Sequence, residues 1–148
     1  MKTQITNLIN GAKNVIRNME DAKYMTAKPA TSHNGYAGTN RDERNEIAAK
    51  VYAENGDTLN ITAKGIALTL PIRRSTTGKS WSWNCDLTEE QYTALGGTYT
   101  EGTLKSYALT MTMSCEVILR SFTRKTEAAQ WREVGPMTYL DESFIQIL

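Results

Sequence analysis

The chain carries few residues able to do covalent or acid–base chemistry, and their spacing argues against it. There is one histidine, His33, and there are two cysteines, Cys85 and Cys115, thirty positions apart. A single histidine excludes any mechanism that needs two, and nothing in the spacing supports a Ser/His or Cys/His pair. His33 lies in PATSHNGY, which has the composition of a surface loop. Each cysteine sits in an alternating apolar run, where a free thiol packs as a small hydrophobe. The two form no CxxC pair, and with one histidine they make no zinc set. Two thiols without a signal peptide point to a reducing compartment. Gly78-Lys79-Ser80 looks like the end of a phosphate-binding loop, but the glycine such a loop needs five positions earlier is Arg73. The acid pairs Asp42/Glu43, Glu89/Glu90 and Asp141/Glu142 stand at predicted helix starts, where carboxylates offset the helix dipole. The sequence therefore predicts no enzyme, no metal site and no cofactor.

Binding chemistry is better represented. Basic residues form three clusters: the N-terminal segment, Arg73 and Arg74 with Lys79, and Arg120, Arg124, Lys125 and Arg132. Each lies near aromatic residues, namely Tyr24, then Trp81 and Trp83, then Phe122 and Trp131. The candidate binding residues are Arg73, Arg74, Lys79, Arg124, Lys125 and Arg132. Interleaved cations and aromatics can hold single-stranded nucleic acid by phosphate contact and base stacking. That reading places the interface on the Arg73–Trp83 hairpin. Against it, the net charge is only +1, without the strongly basic footprint of nucleic-acid binders, and both tryptophans also fit a core register. Acidic residues gather elsewhere, at Asp86, Glu89, Glu90 and Glu101 and again at Glu133, Asp141 and Glu142. Segregated charge suits a specific protein partner. A protein partner is thus the first expectation and nucleic acid the alternative.

The elements that must position these residues follow from pattern. The 148 residues are 40% hydrophobic and 22% charged, the composition of an ordinary folded domain rather than a disordered or low-complexity chain. Length predicts one domain. No apolar run approaches the roughly 18 residues of a membrane span, and a cytoplasmic location is expected. Asn10-Gly11 predicts a hairpin with strands near 3–9 and 12–18, in competition with a helix over the same residues. Residues 26–39 read as a linker. Thr39 is the expected cap of a helix over 40–55, with Ile47, Ala48, Val51 and Tyr52 as its apolar stripe and Asn55-Gly56 as its end.

A Lys64-Gly65 turn pairs Ala63 with Ile66, Ile61 with Leu68 and Leu59 with Leu70, which places every apolar side chain on one face. Extending the sheet, Ile72 pairs with Trp81, and Arg74 faces Lys79 across the tip 75–78. Thr88 and Gln91 form a capping box for a short helix ending at Gly96-Gly97. Tyr107 to Leu119 alternate without a break, predicting one long, bent strand, with a bulge near Arg120-Ser121 and a further strand around Trp131. Pro136 and Asp141/Glu142 predict a docked terminal helix with Leu140, Phe144, Ile147 and Leu148 on its apolar face. The expected fold class is α+β: one twisted antiparallel sheet with helices packed on one face and a Ser/Thr/Asn-rich face opposite.

Three stretches, TNRDERNEIAAKVYAEN (39–55), TGKSWSW (77–83) and RKTEAAQW (124–131), resemble small accessory proteins of bacterial phages and mobile elements. The resemblance implies a protein that acts on host machinery, including inhibition of defence nucleases. It carries no functional residues over to this chain.

Overall fold

A computed structural model describes residues 41–140 and 144–148. The expected 3–9/12–18 hairpin, the 26–39 linker, His33, the Thr39 cap and the basic N-terminal cluster lie outside the described residues.

The element order is α1 (Arg41–Asn55), β1 (Thr58–Ala63), β2 (Ile66–Arg74), β3 (Trp81–Leu87), α2 (Glu89–Ala94), β4 (Leu104–Thr112), β5 (Val117–Arg124), β6 (Arg132–Tyr139) and β7 (Ile145–Ile147). The strands form one sheet in the order β6-β5-β4-β3-β2-β1-β7. Every pairing is antiparallel. Seven strands against two helices make the described chain mainly β, so the α+β expectation holds only for the antiparallel sheet and the presence of helices.

Helix α1 forms where the apolar stripe predicts it. Ile47, Ala48 and Val51 are buried, and Tyr52 packs against the same core. Gly56 ends the helix in the left-handed region at φ 74°, where a side chain would be strained. Its N–H closes onto the Tyr52 carbonyl at 2.7 Å.

The β1–β2 hairpin has the register set by its two-residue turn: Ala63 faces Ile66, Ile61 faces Leu68 and Leu59 faces Leu70. Lys64 and Gly65 both have positive φ, 47° and 81°. That is the primed turn whose twist matches the flanking strands. In α2 the Thr88 side chain accepts from the Gln91 N–H at 3.1 Å, and the Gln91 side chain accepts from the Thr88 N–H at 3.0 Å. Tyr92 from this helix is buried and stacks on Tyr107 of β4 at 4.4 Å. Thr88→Ala is expected to cost about 1 kcal/mol, the usual value of a lost cap, read as an earlier urea midpoint with an unchanged slope.

Three expectations are corrected. First, β2 and β3 pair two residues away from the predicted register. Ile72 faces Trp83 and Arg74 faces Trp81, so Arg74 and Lys79 do not oppose each other. A shift of two preserves which side chains face the core, and the pattern alone therefore does not detect it. The longer tip is closed by Ser75 N–H to Ser80 O at 2.8 Å and Gly78 N–H to Ser75 O at 2.9 Å. Second, the 107–119 alternation is a hairpin rather than one strand. The chain reverses between Thr112 and Val117, and Met111 faces Val117 across β4 and β5. The expected bulge is present as a register shift between Leu119 and Ser121 in the β5–β6 pairing.

Third, residues 145–147 form a strand where the terminal helix is expected, and the expected opening residues Asp141 and Glu142 lie outside the described residues. Pro136 lies in β6, which closes one end of the strand order, where the missing N–H of proline is tolerated. Ile145 and Ile147 are buried as alternate residues of β7, while Phe144 and Leu148 are exposed. The expected docking of this end is present in another form, with Ile147 facing Ile61 and Leu148 N–H bonding Asn60 O at 2.9 Å.

A single apolar cluster joins α1, α2 and the sheet. It runs from Ile47 and Val51 through Leu59, Leu70 and Trp83 to Tyr107, Leu109, Met111 and Leu119. Both helices therefore contribute side chains to this core.

Candidate functional site

With alternate residues committed to the core, the intervening ones form the opposite face. The sheet curls like a half-barrel, and a trough of about 700 Å³ lies along that face. Its lining includes Arg73 and Pro71 from β2, Asn84 and Asp86 from β3, Ser106 and Ala108 from β4, Arg120 and Phe122 from β5, and Trp131 just before β6.

Strand pairing fixes the layout of the floor. Asp86 faces Ala108, and Ala108 faces Arg120. One methyl group thus separates a carboxylate wall from a guanidinium wall. A chain of hydrogen bonds crosses the sheet beside this row. Arg120 donates from Nε and Nη2 to the two Glu133 oxygens at 2.8 and 2.7 Å. It also reaches Thr110 Oγ1 from Nη1 at 3.4 Å. Thr110 donates to Asn84 Oδ1 at 2.5 Å, and Asn84 donates to Ser82 Oγ at 2.8 Å. The paired bonds to Glu133 hold the Arg120 guanidinium above its ordinary pKa. Fork-to-fork pairing of this kind also fixes orientation. The Arg120 guanidinium lies over the Phe122 ring at 5.2 Å, and that of Arg124 over the Trp131 ring at 4.3 Å. Trp131 nevertheless remains 42% exposed.

The structure separates the predicted binding residues. Arg73 lines the trough. Arg74, its neighbour, points to the other face, where it donates to Tyr52 and is paired with Asp57 at 2.8 Å. The Tyr52 hydrogen bond, then the Asp57 charge, raise its pKa. Lys79 is exposed in the β2–β3 loop. Arg124 covers Trp131 and donates to the Glu127 carbonyl at 3.0 Å. Lys125 is exposed in the loop after β5, and Arg132 opens β6, exposed, opposite Thr123. Arg73 and the Arg124–Trp131 pair thus belong to one concave face, while Arg74 does not.

Trp83 is fully buried and packs edge-on against Trp81 at 4.9 Å. Its ring is therefore not available to stack on a base. Asn84, Asp86 and Ala108 were not singled out as one site by sequence. Their signal is the run of small and polar residues between the apolar positions of β3 and β4, which marks a solvated face but not its curvature.

Burial disfavours the thiolate form of both cysteines. Burial pushes Cys115 up to about 12 and Cys85 up to about 11, from an ordinary value of 9.0. Reactive cysteines need the opposite shift. Native protein at neutral pH is expected to react with iodoacetamide far more slowly than denatured protein at both positions. Because these folded values lie above the unfolded one, the contribution of the neutral thiols is complete below about pH 9. It is then lost progressively as pH rises through about 11–12. The melting temperature is accordingly expected to fall on that alkaline side, and serine at Cys85 to reduce the slope.

Among the described residues, no group of three or more His, Cys, Asp or Glu side chains is placed to hold a metal ion, and no helix is long and apolar enough to cross a membrane. No protein-family model, curated protein or solved structure matches the chain.

Proposed function

We propose that the chain is a non-enzymatic binding protein that takes a protein partner on the concave face of its sheet. The observation that carries this reading is the convergence of Arg73, Arg120, Phe122 and Trp131 on one trough, with Trp131 left 42% exposed at it. Tryptophan and arginine are the side chains that most often anchor protein interfaces. A protein suits the trough better than a nucleic acid does. Asp86 and Glu133 stand among the guanidinium groups, Arg120 is already neutralised by Glu133, and Trp83 is buried in the core. The resemblance to accessory proteins of phages and mobile elements supports a bacterial host protein as partner, such as a defence nuclease held inactive in the cytoplasm.

The test is affinity capture from bacterial lysate with the wild-type chain and with Trp131→Ala, before and after nuclease treatment. The expected result is one stoichiometric protein on the wild type that survives nuclease and falls roughly tenfold or more on the variant. Retention of nucleic acid alone, or a partner indifferent to Trp131, overturns the proposal.

A further inference from the structure

We infer that the trough recognises an extended polypeptide segment carrying a basic and an acidic side chain four residues apart, the basic one seated against Asp86 and the acidic one against Arg73. The inference rests on the reading of the concave face as a protein-binding surface and adds the chemistry of what it binds.

Three ion pairs join described residues: Arg74 with Asp57, Lys105 with Glu89 and Arg120 with Glu133. Arg73 and Asp86 stand outside all three, yet both line the trough. Arg120 and Glu133 cancel each other there. Arg124 beside the trough is engaged by the Trp131 ring and the Glu127 carbonyl. Among the described residues that line the trough, Arg73 and Asp86 are thus the positive and the negative charge outside an ion pair.

Their placement defines a ruler. Arg73 faces Ser82 of β3, and Asp86 lies four residues further along that strand. At about 3.3 Å per residue the two charges stand roughly 13 Å apart along the strand direction. An extended peptide lying in the same direction covers that distance in about four residues, and its side chains i and i+4 share one face.

The slot beside Asp86 fits a long cationic side chain. Its floor is the Ala108 methyl, and its far wall is Arg120 on β5, two strand spacings from β3 or roughly 10 Å away. A lysine or arginine stem can lie over Ala108 with its head at Asp86. The Arg120 wall repels it little because both Glu133 oxygens hold that guanidinium. A nucleic acid meets this arrangement poorly, since a uniform row of phosphates puts negative charge against Asp86.

The test uses short capped peptides on an alanine/threonine background. Each carries one lysine and one glutamate at separations of two to six, in both orders, and binding is read by fluorescence anisotropy. Spacing four in one order is expected to bind best, roughly tenfold above spacings three and five, which put one charge on the wrong face. Arg73→Glu and Asp86→Lys should each abolish that preference. The double variant should bind the peptide with its two charges exchanged. Both residues are exposed, so thermal melts of the variants should match the wild type.

A binding profile flat in spacing, or variants that bind as the wild type does, overturns the inference. So does an oligothymidylate that outcompetes every peptide with a steep salt dependence. If the peptides fail while lysate capture still depends on Trp131, the charge ruler is wrong and the protein-binding face stands. If capture does not depend on Trp131, the face itself is wrong.

Discussion

Trp83→Ala is expected to lower the unfolding free energy by about 3–5 kcal/mol, the range for emptying a large aromatic site in a packed core. Trp83 is fully buried and sits between Ile72 of β2 and Met111 of β4. Its ring meets Trp81 at 4.9 Å and Tyr52 at 6.2 Å. Its indole N–H donates to the Gly56 carbonyl at 3.2 Å, which ties the end of α1 to the sheet. Alanine leaves a cavity there and removes the donor from that carbonyl. Trp131→Ala removes the same side chain from an exposed position and is expected to change stability by no more than about 0.5 kcal/mol. Urea denaturation of the two variants side by side separates the core tryptophan from the trough tryptophan.

The second large effect is expected at Arg44. Its side chain is fully buried, donates from Nε to the Ser114 carbonyl at 2.8 Å and from Nη2 to the Cys115 carbonyl. These carbonyls belong to the reversal between β4 and β5, where Cys115 has φ 56°, a conformation costly for a residue with a side chain. Ser114 Oγ donates to Asn45 of the same helix. Arg44 and Asn45 thus brace a turn that has no glycine to favour it. Arg44→Met removes two charge-assisted hydrogen bonds and leaves buried carbonyls short of donors, an expected loss of about 3 kcal/mol. Arg44→Lys should not restore it, because a single ammonium does not reproduce the planar fork. Chemical denaturation gives the magnitude, and faster amide exchange around 112–116 shows where the loss falls.

The same turn shows where sequence reading stops. Between Thr112 and Val117 the residues are Met113-Ser114-Cys115-Glu116, with no glycine, proline or asparagine to mark a reversal. The apolar alternation continues straight through it, so one long strand was the natural reading. The reversal is closed by Thr112 N–H to Glu116 O and Cys115 N–H to Thr112 O, both at 2.9 Å, with Thr112 Oγ1 accepting from the Ser114 and Glu116 N–H groups. It is braced by Arg44, some seventy residues away in sequence. The β1–β2 hairpin was legible for the opposite reason, since Lys64-Gly65 fixes both the turn and the register locally. The six-residue tip after β2 allows two registers of equal parity. The choice agrees with a tertiary pairing, Arg74 to Asp57, rather than with any local signal.

At the C-terminal end, Leu140, Phe144 and Ile147 have helical spacing, but Ile145 and Ile147 also have strand spacing. The free edge of β1 takes them as a strand, because pairing satisfies a row of backbone groups. Of the candidate site, Arg73 was legible as a binding residue, and Arg120, Phe122 and Trp131 only as members of a basic and aromatic cluster. The site was not legible as a place, because alternation tells which side chains share a face but not how far the sheet curls.

Site-specific photo-crosslinking tests the central claim most directly. A benzophenone amino acid is placed either at Trp131, in the trough, or at Ala49, on the exposed side of α1, and irradiated in bacterial cells expressing the protein. The concave-face account predicts a discrete protein adduct from position 131 and none from position 49, with the adduct lost on Arg73→Glu. A discrete adduct from position 49 with none from 131 would place the partner on the helical side and contradict it.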